Sequence, residues 1–362
     1  MKTVMVVAGT RPEIIKMAPL IRALQRNKIP FTFVHCGQHY DYNMSQQFIE
    51  ELALPQPDIA FKIKIASTAA QTARIMLNMA ELLKKTAPVL VLVEGDTNSV
   101  VAAALAANKH GISVGHVEAG LRSFDLRMPE EHNRRLTDHL SEHLFAPTSR
   151  AEANLKNENV WGKIYVTGNT VIDAVHQHLP IAEKKSRILE EIRFERFALA
   201  TAHRAENVDN LPVLKNFMGA FAESPLPIVY PMHPRTKKQL RKSGLYSKVK
   251  NIRNIQILPP VGYLDFLVLM KKCELIITDS GGIQEEATAP CIKKPIIVIR
   301  LSTERPEAVE AGFATVAGTE KNEILSAIDA ALTSRKQLPN ASPFGDGKAA
   351  EKIAGIIKPF LP

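Results

Sequence analysis

Short apolar runs rich in β-branched residues recur along the chain, at Thr3 to Ala8, Phe31 to His35, Val89 to Val93, Ile112 to Val117, Leu144 to Ala146 and Ile164 to Val166. Between most of them the apolar positions switch to helical spacing, as at Ile14, Met17, Leu20, Ile21 and Leu24, and again over Thr72 to Leu83. Continuous apolar runs separated by amphipathic helices predict a parallel, doubly wound sheet whose strands are covered on both faces. A charged helix around Ile181 to Arg196 is expected next. It leads into a second series with the same grammar: Phe197 to Thr201, Ile228 to Tyr230, Ile255 to Leu258, Leu275 to Ile277, Ile296 to Ile299 and Ala314 to Val316. The expected fold class is α/β, with two Rossmann-like parallel-sheet domains facing a cleft. Residues 1–168 form the first domain, with Gly168-Asn169-Thr170 closing it, and 169–345 form the second. Residues 346–362 carry an apolar helix, Ala349 to Ile357, that is stopped by Lys358-Pro359 and docks back on the first domain.

The polar residues gather where the runs end. One stretch passes from Leu275-Ile276-Ile277 through Thr278-Asp279 into Ser280-Gly281-Gly282 and a helix start, so that Ser280, Gly281 and Gly282 let backbone N–H groups approach an anion. Glu286, one turn in, is placed to accept two hydrogen bonds from a vicinal diol such as ribose, and the pairing suggests a nucleotide. Phe266 is placed either to stack on a base or to fill core. In the first series, Gly9-Thr10-Arg11-Pro12-Glu13 opens a helix with Arg11 and Lys16 at the carboxyl end of a strand. The next runs end in Glu94-Gly95-Asp96-Thr97 and His116-Val117-Glu118-Ala119-Gly120, so Asp96 and Glu118 line one rim. In the second series, His203-Arg204 and His233-Pro234-Arg235 follow strand ends, where a histidine can act as acid or base.

At 362 residues and 45% hydrophobic content the chain can fill two cores. Its formal charge of +9 is carried by scattered pairs such as Lys84-Lys85, Lys184-Lys185, Lys237-Lys238 and Lys293-Lys294, which read as solvated faces. Without an aromatic-basic stripe, a nucleic-acid partner is not expected. Cys36, Cys273 and Cys291 are widely spaced with no CxxC, which favours a reducing cytoplasm and no zinc site. No run suits a signal peptide or a membrane span, so no membrane partner is expected.

Taken with Leu121-Arg122, Pro129-Glu130-Glu131 and Thr303-Glu304-Arg305-Pro306-Glu307, these motifs, in this order and over nearly the whole chain, resemble the non-hydrolysing UDP-N-acetylglucosamine 2-epimerases. The resemblance implies a glycosyltransferase-B type fold, a UDP-sugar substrate, no cofactor or metal, and a homodimer. It implies that Asp96, Glu118, Glu130 and His203 form the catalytic group. Arg11 and Lys16 would contact the nucleotide sugar, Ser280 to Gly282 the diphosphate, Glu286 the ribose, Phe266 the uracil, and Arg305 would add a cation. The chain departs from the family at Gln38-His39-Tyr40-Asp41, where many bacterial members read Gln-His-Arg at an activator site, and at Arg300-Leu301 and Val261. The implied reaction is reversible inversion at carbon 2 by elimination and re-addition of UDP through 2-acetamidoglucal. The alternatives are a hydrolysing 2-epimerase, an epimerase of a modified UDP-sugar, a glycosyltransferase on the same fold and, on charge alone, a nucleic-acid binder.

Overall fold

The computed structural model describes residues 3–37, 48–63, 65 and 67–360, so the Gln38-His39-Tyr40-Asp41 departure lies outside the described residues. The chain forms two compact units. Unit 1 holds the described residues up to Ala174 together with those from Phe344 onward, and unit 2 runs from Val175 to Pro343.

Among its described residues unit 1 has seven parallel strands: β1 (Val4–Ala8), β2 (Phe31–His35), β3 (Ile59–Ala60), β4 (Leu90–Glu94), β5 (Ser113–Val117), β6 (His143–Ala146) and β7 (Lys163–Val166), in the spatial order 3-2-1-4-5-6-7. Among its described helices are α1 (Arg11–Arg26), α2 (Thr68–Thr86), α3 (Asn98–Lys109), α4 (Pro129–Leu140), α5 (Ser149–Asn157) and α6 (Thr170–Lys185), the last of which contains the division between the units. β1 and β4 are buried throughout and pair in register from Val4 and Leu90, which places their polar ends side by side. Two-residue β3 is the one strand the apolar pattern does not announce, because it is too short to carry a period.

The helix at Ala349–Ile357 belongs to unit 1. It packs on α1, where Asn27 Nδ2 donates to Glu351 at 3.0 Å. The carboxylate of Asp173 accepts from the Ala349 and Ala350 N–H groups at 3.1 and 2.9 Å and so caps it. Gly168 and Gly345 let the two backbones pass: a Cβ on Gly345 would stand 3.1 Å from the Gly168 Cα, and Asn169 N–H bonds Phe344 O at 2.7 Å.

Unit 2 repeats the design with six parallel strands in the order 10-9-8-11-12-13: β8 (Ala198–Thr201), β9 (Ile228–Pro231), β10 (Ile255–Leu258), β11 (Leu275–Thr278), β12 (Ile296–Val298) and β13 (Ala314–Val316). Between them run α7 (Ala205–Val208), α8 (Leu211–Glu223), α9 (Pro234–Lys242), α10 (Tyr246–Lys250), α11 (Tyr263–Lys272), α12 (Gly281–Glu286), α13 (Pro306–Glu310) and α14 (Lys321–Thr333). The charged helix expected over Ile181 to Arg196 is not continuous: α6 ends at Lys185 and a single 3-10 turn follows at Ile188–Glu191. Ser186 causes the break. Its hydroxyl donates to Asp265 at 2.6 Å and accepts from the Ile188 N–H at 3.2 Å, taking over a bond that continued helix would have made through the backbone.

Candidate active site

Each sheet reverses its strand order once, between β1 and β4 in unit 1 and between β8 and β11 in unit 2, and the predicted residues collect at those two places.

In unit 1 the organising group is Lys16, one turn and a half into α1. Its Nζ lies 2.6 Å from Glu118 Oε2 and 3.2 Å from Glu94 Oε1, and both carboxylates are buried. Asn169 Nδ2 donates to the same Glu118 oxygen at 2.8 Å. Glu118 follows β5 directly with φ +67, a left-handed backbone that a non-glycine residue adopts only under constraint; here the lysine and amide supply it. Burial drives the Glu94 carboxyl well above the ordinary range, against the pull of the lysine and with the added repulsion of Glu118 and Glu13.

Glu13 sits beside this pair. It accepts from Gly9 N–H at 2.7 Å, Thr10 Oγ1 at 2.8 Å and Thr97 Oγ1 at 2.8 Å, so one carboxylate ties the β1 loop to the β4 loop. Burial raises it to about 7 despite those bonds. Asp96, in the β4 loop, is half-buried, pairs with Arg134 of α4, and its carbonyl accepts from Asn133 Nδ2 at 2.9 Å. Beneath the rim, His116 is held between Asp138 Oδ1 at 2.7 Å and Gly95 O at 2.8 Å, which joins β5, α4 and the Asp96 loop in one buried network.

Lys16 and Glu118 are thus in contact, whereas Asp96, next to the Thr97 that donates to Glu13, has its own carboxylate on Arg134. Arg11 lies at the start of α1 with its guanidinium 4.5 Å from the centre of the Phe48 ring. Glu130 stands on the exposed face of α4. The buried carboxylate of that turn is Glu131, which accepts from Ser123 N–H and Oγ at 2.9 Å each and pairs with Arg134 and Arg135. Burial would raise it, but those hydrogen bonds and the Arg134 and Arg122 charges prevail and hold it below the usual range.

In unit 2 the organising group is Asp279, fully buried at the end of β11. It accepts from the N–H groups of His203 and Arg204 at 3.0 and 2.9 Å and from Asn207 Nδ2 at 3.1 Å, and His203 Nδ1 lies 3.3 Å away. The β8 loop is thereby fixed against β11. His203 and His233 are neighbours, with ring centres 5.4 Å apart, and His233 Nδ1 accepts from Arg235 N–H to start α9.

α12 begins at Gly281, as the sequence predicts. A Cβ on Gly281 would lie 3.7 Å from the Arg305 guanidinium carbon, whereas one on Gly282 would meet no protein atom within 4 Å. Gly281 therefore admits Arg305, and Gly282 faces open space. Arg305 is buried and held by Glu285 Oε1 at 2.5 Å and Glu304 O at 3.0 Å. Thr303 links it to the helix start, donating to Gln284, whose amide donates to Ser280 O at 3.2 Å. Arg300 and Arg204 add two more guanidinium groups around Glu304, at 3.3 and 3.9 Å. Glu286 lies close enough to Tyr263 to raise the buried tyrosine hydroxyl beyond what burial does, and Phe266, half-buried, stands one turn along α11 from that tyrosine.

Sequence reasoning assigned no role to Glu13, Glu94, Glu131, Asp138 or Asp279. The signal available was positional: each is a carboxylate at a strand end or within the helix that follows one.

A family profile described as UDP-N-acetylglucosamine 2-epimerase matches residues 22–358. The UDP-N-acetylglucosamine 2-epimerase of Methanocaldococcus jannaschii is 46% identical over 362 aligned positions, covering 97% of this chain and 98% of the relative. The crystal structure of that archaeal enzyme in complex with UDP-N-acetylglucosamine and UDP superposes with a TM-score of 0.87 over 99% of both chains. A Pseudomonas aeruginosa UDP-2,3-diacetamido-2,3-dideoxy-D-glucuronate 2-epimerase is 37% identical over 98% of this chain and 99% of its own. Profile, sequence and fold agree across almost the full length, and this chain belongs to the UDP-N-acetylglucosamine 2-epimerase family.

Proposed function

We propose that the protein interconverts UDP-N-acetylglucosamine and UDP-N-acetylmannosamine by eliminating UDP from carbon 1 and re-adding it, without hydrolysis. The observation that carries the reading is the Glu94–Lys16–Glu118 cluster, a carboxylate pair held against one ammonium at a strand-end rim. No carbonyl adjoins carbon 2 of the sugar, so its proton is not acidic in the resting substrate. As the carbon 1–oxygen bond to diphosphate breaks, positive charge develops on the ring and acidifies that proton; a carboxylate removes it, leaving 2-acetamidoglucal and UDP. Protonation of carbon 2 on the other face, with return of the diphosphate oxygen to carbon 1, completes the inversion, and every atom is conserved.

The division of labour follows the chemistry. In unit 1, Asp96 and Glu118 move protons and stabilise the cationic ring, Lys16 holds Glu118 in position, and Glu130 is available from the exposed face of α4. In unit 2, Gly282 N–H, Arg305 and the neighbouring guanidinium groups stabilise the departing diphosphate, with His203 beside them, while Glu286 takes the ribose and Phe266 the base.

A second reading, a 2-epimerase of a diacetamido uronate, draws on the relationship to the Pseudomonas aeruginosa enzyme. The test is a proton NMR time course on both UDP-sugars. Approach to one equilibrium mixture from either UDP-hexosamine, with free UDP a trace, supports the proposal. Stoichiometric UDP and free N-acetylmannosamine would place the chain on the hydrolysing branch, and turnover of the uronate alone would move the substrate.

A further inference from the structure

The positive charge that the sequence spreads over scattered pairs is concentrated by the fold. From Ser224 to Leu264 there is no Asp or Glu, and between Arg235 and Arg253 stand eight cations: Arg235, Lys237, Lys238, Arg241, Lys242, Lys248, Lys250 and Arg253. The remaining 38 basic residues face 37 acids, so the rest of the chain is close to neutral at +1. At 100° per residue the five cations of α9 occupy roughly a 160° arc. That arc lies opposite Thr236 and Leu240, the two residues α9 buries.

Gly244, at φ +70, ends α9 and turns the chain into α10, with Leu245 N–H returning to Leu240 O at 2.9 Å. Tyr246 then fixes the two helices together, its ring lying 5.7 Å from Lys237 Nζ and 5.3 Å from Arg241 Cζ. Among the described residues only Arg235 of the eight has an ion-pair partner, Asp209. With Asp209 the carboxylate set among them, beside Arg235 and Lys238, the cations of this face keep a net positive field that an external anionic surface would neutralise.

We propose that the α9–α10 face of unit 2 is a docking surface for anionic lipid bilayers. Five of the eight cations are lysines, compact hydrated charges suited to a diffuse field rather than to bidentate phosphate recognition. The one aromatic ring of the face is half-buried beneath two cations, so no platform is offered for stacking a base. The expectation of no membrane partner rested on the lack of a spanning segment. Among the described residues no helix is long and apolar enough to cross a membrane, and a peripheral contact of this kind requires none.

The experiment is co-sedimentation of the full chain with vesicles of neutral phosphatidylcholine, and with vesicles in which about a third of the lipid is phosphatidylglycerol. Expected is binding to the anionic vesicles alone, weakened ~tenfold or more between about 50 and 200 mM salt. In the Lys238→Glu, Lys242→Glu, Lys248→Glu and Lys250→Glu variant, made at four exposed positions, binding should fall at least ~20-fold while melting temperature and UDP affinity hold. A milder variant with glutamine at Lys248 and Lys250 should fall part of the way, and serves if the first does not fold. Absence of binding to anionic vesicles at low salt overturns the proposal. So does retention of binding by a folded variant, or tighter binding to duplex or single-stranded DNA than to vesicles at equal salt. If vesicles fail to bind while the charge reversal lowers kcat/KM for the UDP-sugar, the patch serves substrate capture instead.

Discussion

The two units use one construction for opposite chemistries. Each is a parallel sheet that reverses its strand order once, and each puts polar loops at that reversal. In unit 1 the strand ends and the segments that follow them carry carboxylates, Glu94 and Glu118 on Lys16, Asp96 on Arg134, and Glu13 on the Gly9-Thr10 and Thr97 donors. In unit 2 they carry cations, Arg204, Arg300 and Arg305 with two histidines, and the buried acids Asp279 and Glu285 hold donors in place. A shared scaffold thus fixes only where a site can be, and the charge of its loops decides what the site does. An acid cluster suits proton movement and a forming cation; an arginine cluster suits a departing diphosphate.

The sharpest way to break this comparison is to remove charge without volume. Glu118→Gln and Asp96→Asn should each lower kcat by about 10³-fold while changing UDP affinity less than ~threefold, because both are assigned to the sugar. Steady-state kinetics alongside calorimetry separate the two effects, and equal losses in both would show that unit 1 binds rather than reacts.

Unit 2 should respond the other way. Arg305→Ala takes from the buried Glu285 its guanidinium contact and should weaken UDP ~30-fold and lower the melting temperature. Gly282→Val should weaken UDP about tenfold with the melting temperature intact, since a Cβ there meets no protein atom within 4 Å. If Gly282→Val destabilised the fold as much as Arg305→Ala, the open space at Gly282 would have been misread.

Much of this was legible from apolar runs and the residues that end them. Buried parallel strands are long enough to announce themselves, and loops that change from apolar to Gly, Asp, Glu and Ser mark the rim, as at Glu94-Gly95-Asp96 and Thr278-Asp279-Ser280. What stayed hidden is pairwise. Nothing local says that Lys16 reaches a residue 102 positions away, or that Asp279 receives the backbone of the His203 loop. Glu130 and Glu131 are indistinguishable as letters; one helical step turns the second inward to Ser123 and leaves the first in solvent. The basic face was hidden for the same reason, because five cations that look dispersed along α9 share one side of it.

A smaller effect compares the acids themselves by pH. Glu13 is raised from 4.5 to about 7 in the folded chain, so between those values the unfolded state loses its proton first and stability falls as pH rises. The full fall is about 3 kcal/mol. Asp173, raised from 3.8 to about 6 by burial, acts in the same direction at lower pH. Glu131, held low, acts in the opposite direction and loses its contribution on acidification. Glu13→Gln should reduce the decline between about pH 5 and 7 in denaturant titrations and leave the parts that come from Asp173 and from Glu94, which burial also raises. An unchanged slope would mean that Glu13 ionises normally.

The central claim is that the carbon 2 proton leaves before it returns on the other face. Incubating the protein with UDP-N-acetylglucosamine in heavy water and reading carbon 2 by NMR and mass spectrometry tests it directly. Expected is UDP-N-acetylmannosamine carrying deuterium at carbon 2, with the same label entering recovered starting material as the mixture equilibrates. Epimer formed with carbon 2 still fully protonated would contradict it.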